Sequence, residues 1–106
     1  VRPIDPVAMM NEIMSAPVLQ QSEVQRRYVG IRVDWAGELF SARQEGDYTR
    51  LAIDLGSRNA ASFALKPERY PGLGLLKTGS MIRVQGTIES VDRHVILLGD
   101  AILLDY

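Results

Sequence analysis

The chain has 106 residues, 46% hydrophobic and 24% charged, with a formal net charge of −1 and a pI near 5.8. Such a length makes one domain able to bury a core unaided, and the charge is not that of a strongly electrostatic nucleic-acid binder, whose domain is usually basic. With no cysteine there is no disulfide framework, thiolate nucleophile or cysteine metal site, and no apolar run reaches the roughly 18 residues of a membrane helix.

Val1 to Pro3 reads as a loose lead-in. Asp5-Pro6 then starts a helix, with Asp as N-cap and Pro at the first helical position. Met9, Met10, Ile13 and Met14 follow at helical spacing, with Asn11, Glu12 and Ser15 on the other side. A methionine stripe can serve a partner surface, but packing against a sheet is the simpler use. Pro17 stops this helix. Gln20 to Arg27 is polar, with a second short helix expected from Ser22. Residues 1–27 are thus expected to form a helical extension packed on a β domain spanning 28–106. The cytoplasm is the default compartment. Because the chain begins at Val1 rather than methionine, a signal peptide or lipid anchor upstream stays open.

Tyr28 to Arg43 has the pattern of one long strand with a hinge. Val29, Ile31, Val33 and Trp35 alternate with Gly30, Arg32, Asp34 and Ala36, the period of a half-buried strand. The pattern loosens at Gly37, as at a bulge or bend, and a bent first strand that pairs with two neighbours is how a small barrel begins. Gln44 to Asp47 is a turn. Tyr48 to Leu55 is the second strand, with Leu51, Ile53 and Leu55 inward, and Gly56 to Asn59 is the next turn. Ala60 to Lys66 is the third strand, with Ala61, Phe63 and Leu65 inward, which completes an antiparallel meander. Pro67 to Gly79 is an irregular connection crossing a barrel end, with room for one helical turn. Ser80 to Val91 is the fourth strand, with a second bend at Gly86. Asp92-Arg93 makes a tight turn into the fifth strand, His94 to Asp105. Val95 to Leu98 and Ile102 to Leu104 are apolar on both faces, so the N-terminal helix is expected to cover the second side.

From Tyr28 to Tyr106 this order resembles the oligonucleotide/oligosaccharide-binding (OB) fold, a five-stranded Greek-key barrel. The resemblance is carried by Val33 to Leu39 (VDWAGEL), Leu76 to Ile88 (LKTGSMIRVQGTI) and Ile96 to Ala101 (ILLGDA). It is similar to the bacterial group related to the anticodon-binding type, in which a helical lead-in precedes a Y-x-G-x-x-V-x-W-x-G strand. Tyr28, Gly30, Val33, Trp35 and Gly37 occupy those positions. The resemblance implies an all-β, antiparallel OB barrel with a ligand lying across the second and third strands, clasped by the loops between strands one and two and between four and five.

Alternation sends Tyr48, Arg50, Ala52 and Asp54 outward on the second strand, and Ser62, Ala64 and Lys66 outward on the third. Arg43, Arg58, Arg93 and His94 are assigned to the loops. Arg43, Arg50, Arg58, Lys66 and Arg93 are the candidate phosphate ligands, and Tyr48 is the candidate base platform. Ten of the twelve cationic residues are arginine, the type suited to planar phosphate recognition. Trp35 falls on the inward face and is assigned to the core.

His94 is the only histidine, and its spacing to Asp92 and Asp100 fits no metal pattern. It is assigned to an exposed turn. Gly72-Leu73-Gly74 lacks the strand, helix and Lys-Ser/Thr of a phosphate loop. With one histidine and no nucleophile motif, no catalytic triad can be assembled. The sequence therefore implies a binding module, with neither catalysis nor a cofactor or metal. Its expected partner is single-stranded DNA or RNA read with little specificity. The alternative is a protein partner, such as a second copy of the chain, with no nucleic-acid role.

Overall fold

The computed structural model describes residues 1–106. Helix α1 (Pro6–Ser15) and a 3-10 turn (Val18–Gln20) lead into the short helix α2 (Gln21–Arg26). Five strands follow: β1 (Arg32–Glu45), β2 (Tyr48–Gly56), β3 (Asn59–Leu65), β4 (Met81–Asp92) and β5 (Val95–Asp105). They close into a barrel in the order β1-β2-β3-β5-β4, all pairs antiparallel except β3 with β5. That parallel pair, Ala60–Phe63 against Val95–Leu98, closes the barrel. The connection from β3 to β4 carries two 3-10 turns, Pro67–Arg69 and Leu73–Leu75, and buries Leu73. No helix is long and apolar enough to cross a membrane.

The first strand serves two partners. Arg32 to Glu38 pairs with β4, and Glu38 to Glu45 pairs with β2. The change of partner needs Gly37. A Cβ at this position would lie 2.1 Å from the backbone oxygen of Asp54 on β2. The irregularity in pairing, expected at Gly37, lies three residues later: Leu39 faces Ile53 and Ser41 faces Ala52, so Phe40 is the extra residue of a bulge. A second slip, between Gln85 and Thr87, brackets Gly86 on β4.

One apolar core joins the barrel to the helices. Val33, Trp35, Leu39, Leu51, Ile53, Ala61, Phe63, Leu65, Ile82, Val84, Ile88, Ile96 and Leu98 fill the interior, and Met9, Met10 and Ile13 of α1 belong to the same cluster. Asp5 caps α1, its Oδ1 accepting from the Val7 amide at 3.2 Å. Trp35 is buried, and its Nε1 donates to the carbonyl of Ile4 at 2.7 Å.

Four expectations require correction. The first strand begins at Arg32, not Tyr28. Tyr28 to Gly30 form a turn closed by Ile31 N donating to Tyr28 O, and Gly30 adopts φ +89°, which strand geometry does not allow; Val29 is exposed as a result. The lead-in is not loose, because Arg2 N donates to Arg32 O at 2.9 Å and the Ile4 carbonyl accepts from Trp35, which tie it to β1. Met14 is left exposed rather than packed. Finally, α1 packs against β2 and β3 and leaves β5 uncovered, so Val95, Ile102 and Leu104 stay exposed on its outer side. Val95 and Leu97 alternate with the buried Ile96 and Leu98, and past the bulge at Asp100, φ +47°, Ile102 and Leu104 flank the buried Leu103, so the outer side of β5 is apolar and partly open.

Gly37→Ala should cost about 3 kcal/mol, the upper range for forcing atoms into a packed site, because a neighbouring strand backbone must move. Urea melts check this, and a Gly37→Ala protein as stable as wild type would contradict the strand crossing.

Candidate functional site

The outer surface of β1, β2 and β3 has a low floor. Ala52 lies opposite Ser62, Arg50 opposite Ala64 and Asp54 opposite Ala60. Short side chains at Ala52, Ala60, Ser62 and Ala64 leave the backbone ribbon open to a flat ligand, while the buried Leu51, Ile53, Ala61 and Phe63 hold it from beneath.

Phe40 stands at one side of this floor, 51% exposed. Alternation already faces it outward, and the bulge switches the alternation of β1 just after it. Before it the even-numbered residues face out; after it Ser41 and Arg43 do, opposite Ala52 and Arg50. Phe40 borders two shallow hollows. One is shared with Arg50, Ala52, Ser62 and Val95, and the other with Asp54, Arg58 and Ala60. Phe40 is not among the six candidates drawn from sequence, although its signal is present there: carrying the inward positions forward through Val33, Trp35 and Leu39 leaves Phe40 outward.

Tyr48 marks the other end, beside the β1–β2 turn. It is 44% exposed, and Lys66 Nζ lies 5.9 Å from its ring centroid, within the range of a cation–π contact. Arg43, assigned to a loop from sequence, stands on β1, because the hairpin turn is only Gly46-Asp47. Its guanidinium and that of Arg50 converge on one carboxylate. Arg50 Nε donates to Glu45 Oε1 at 2.7 Å, and Arg43 Nη2 lies 2.8 Å from Glu45 Oε2. Arg50 Nη1 also donates to Ser62 Oγ at 3.0 Å, which lays the side chain flat across the strands. The hydrogen bond from Arg50, with the charge of Arg43, holds the Glu45 carboxyl below its ordinary range.

Arg58 and Arg93 sit at the end opposite Tyr48. Both lie in turns at positive φ, +66° and +54°. Their turns are tied together, with Ala60 N donating to His94 O at 2.8 Å and His94 Nδ1 3.1 Å from Asn59 Oδ1. His94 is exposed, while Asn59 is the one buried polar residue. The six candidate residues thus lie along one surface and its two ends: Tyr48 and Lys66 at one, Arg43 and Arg50 between, Arg58 and Arg93 at the other. Tyr70, the aromatic of the β3–β4 connection, borders a shallow hollow with Tyr48, Ala64 and Lys66, its hydroxyl accepting from Leu103 N.

The cations of the opposite wall are committed to structure. Arg83 grips Asp34 with two hydrogen bonds, 2.9 and 2.7 Å, and Arg32 donates to Thr87 Oγ1 and to the carbonyl of Asp100. The Arg83 guanidinium holds the Asp34 carboxyl below its ordinary range.

A closed five-stranded barrel with a two-partner first strand, a helical lead-in and a flat β2–β3 face is an OB fold. Among solved structures, the chain is similar to a proposed nucleic acid-binding lipoprotein from Klebsiella pneumoniae subsp. pneumoniae MGH 78578, at TM-score 0.67 and 15% identity, covering 98% of this chain and 100% of that one. It is also similar to an OBody, AM1L10, bound to hen egg-white lysozyme, at TM-score 0.56 and 15% identity over 79% of this chain and 88% of that one. Asparaginyl-tRNA synthetase from Pyrococcus horikoshii matches at TM-score 0.53 and 18% identity over 79% of this chain, which spans only 21% of the synthetase. No protein-family model and no curated protein matches the sequence.

The Asp34–Arg83 pair sets an acid signature. A carboxyl whose folded pKa is lowered contributes stability that is full above the unfolded value, about 3.9 for aspartate, and lost as pH falls through the folded one. The stability difference between wild type and Asp34→Asn should therefore be constant from about pH 5 to 8 and shrink as pH falls below the unfolded value. Urea melts across the acid range test it; a difference independent of pH would contradict the pairing.

Proposed function

We propose that this protein is a non-catalytic OB module that binds single-stranded nucleic acid across the outer face of β1, β2 and β3, with little base specificity. The observation that carries the reading is the combination on one face of two exposed aromatic rings, Phe40 and Tyr48, with Arg43, Arg50, Arg58 and Lys66 around a floor of alanine and serine. Bases stack on rings whatever their sequence, and guanidinium and ammonium groups neutralise the phosphates between them. Arg93 extends the cationic track at the β4–β5 turn. The Klebsiella neighbour of the same fold is described as a proposed nucleic-acid binder, which supports the reading.

A protein partner is the second reading. It is favoured by the near-neutral charge of the chain and by the lysozyme-bound OBody, in which the same fold takes a protein ligand.

Fluorescence-anisotropy titration of labelled single-stranded DNA and RNA at two salt concentrations separates them. The nucleic-acid reading predicts binding that weakens with salt. Phe40→Ala and Tyr48→Ala should each cost about 1–3 kcal/mol of binding, the usual worth of a stacked base. Combining Arg50→Ala with Lys66→Ala should lower the salt slope by about 0.7 for each phosphate left without its cation. No binding at micromolar protein, or binding untouched by these changes, would overturn the assignment and leave the protein-partner reading.

A further inference from the structure

Arg43 and Arg50 are directly opposed across the β1–β2 pair. Two like charges in that position repel and destabilise the pairing unless an anion sits between them. Here the anion is internal. Glu45 reaches one carboxylate oxygen to each guanidinium, at 2.7 and 2.8 Å. A single neutral side chain at Arg43 or Arg50 would remove the repulsion at its source, yet both positions carry arginine. Two opposed arginines, one pinned flat by Ser62 Oγ, make a planar, preset pocket for an oxyanion.

We propose that Arg43, Arg50 and Ser62 form a phosphate subsite on the β1–β2–β3 face, and that Glu45 is its resident competitor, displaced when ligand phosphate enters. This deepens the nucleic-acid reading and rests on it for the identity of the ligand; the oxyanion pocket itself stands on the geometry. Both partners of the competition are exposed enough to exchange, since the Glu45 side chain retains 36% of its accessible surface and that of Arg43 68%. The carboxylate lies at the foot of the Gly46-Asp47 turn, so it can swing outward without disturbing the core. Its effect is to lower affinity for every single strand alike, because a phosphate at this position must first replace a charge-assisted hydrogen bond.

The test compares wild type with Glu45→Gln, and with Glu45→Ala in case a glutamine amide still bridges the arginines. Far-UV circular dichroism and melting confirm that each variant is folded. The first readout is anisotropy with a labelled oligothymidylate. Either variant should bind about fivefold more tightly, the effect of removing one repulsive unit charge at about 4 Å in a water-like dielectric, with a salt slope steeper by about 0.7. The second readout needs no nucleic acid. Inorganic phosphate is titrated while the Nε–Hε resonances of Arg43 and Arg50 are followed by NMR. They should shift at lower phosphate concentration in the variants than in wild type.

Unchanged or weaker oligonucleotide binding together with phosphate shifts equal to wild type would overturn the subsite. If no protein binds the oligonucleotide but phosphate still distinguishes the variants at those two resonances, the nucleic-acid reading falls and the subsite stands.

Discussion

A side chain at position 37 has nowhere to go, and the barrel depends on that. At Gly37 and Glu38 the first strand leaves β4 and joins β2, and the two strand backbones approach so closely that the Asp54 carbonyl occupies the place of a Cβ. This approach lets one strand of fourteen residues form two walls at an angle. Barrel closure follows from it, with the short parallel pairing of β3 and β5 completing the circuit. The bulge at Phe40 bends the strand and sharpens its twist just past the crossing. It also reverses the in–out alternation, which brings Arg43 onto the face opposite Arg50. One local constraint on backbone geometry therefore sets both the fold and the composition of the face.

The electrostatics are divided by wall. Around β1 and β4, Arg83 and Arg32 are occupied with Asp34, Thr87 and a main-chain carbonyl, which fasten the strands. On the β1–β2–β3 face, the cations stand among small residues, and Arg43 and Arg50 share the Glu45 carboxylate. A chain with net charge −1 can thereby present a local cationic track, since field at a surface depends on where charges stand rather than on their sum. The same distribution explains why bulk composition says little about a ligand.

Much of the fold is legible in the sequence because period-two patterning fixes which side of a strand is core. Leu51, Ile53, Phe63 and Leu65, inward by alternation, are all buried, and Trp35 is a core residue as its position implies. Strand limits fall within a few residues of expectation because glycine, proline and aspartate mark the turns. The start of β1 departs from expectation for a physical reason: Val29 and Ile31 continue the apolar alternation, but the left-handed Gly30 breaks the strand before it. The uncovered side of β5 departs as well: a run apolar on both faces looks like a strand buried on both, yet Val95, Ile102 and Leu104 stand exposed while Ile96, Leu98 and Leu103 are buried. The site is legible in part. Tyr48, Arg50 and Lys66 follow from alternation, but the shared hold of Arg43 and Arg50 on Glu45 depends on cross-strand register, which no single strand reveals.

The central claim, that single strands lie on the β1–β2–β3 face, is tested most directly by mapping the bound surface. Isotope-labelled protein would be titrated with an unlabelled oligothymidylate of about eight nucleotides, within the usual span of one OB barrel, and the amide shifts followed residue by residue. The largest changes should gather at Phe40, Arg43, Arg50, Ala52, Ser62 and Ala64, with Tyr48 and Arg58 at the margins. Changes centred on Asp34 and Arg83, or on Ile102 and Leu104, or none at saturating oligonucleotide, would contradict it.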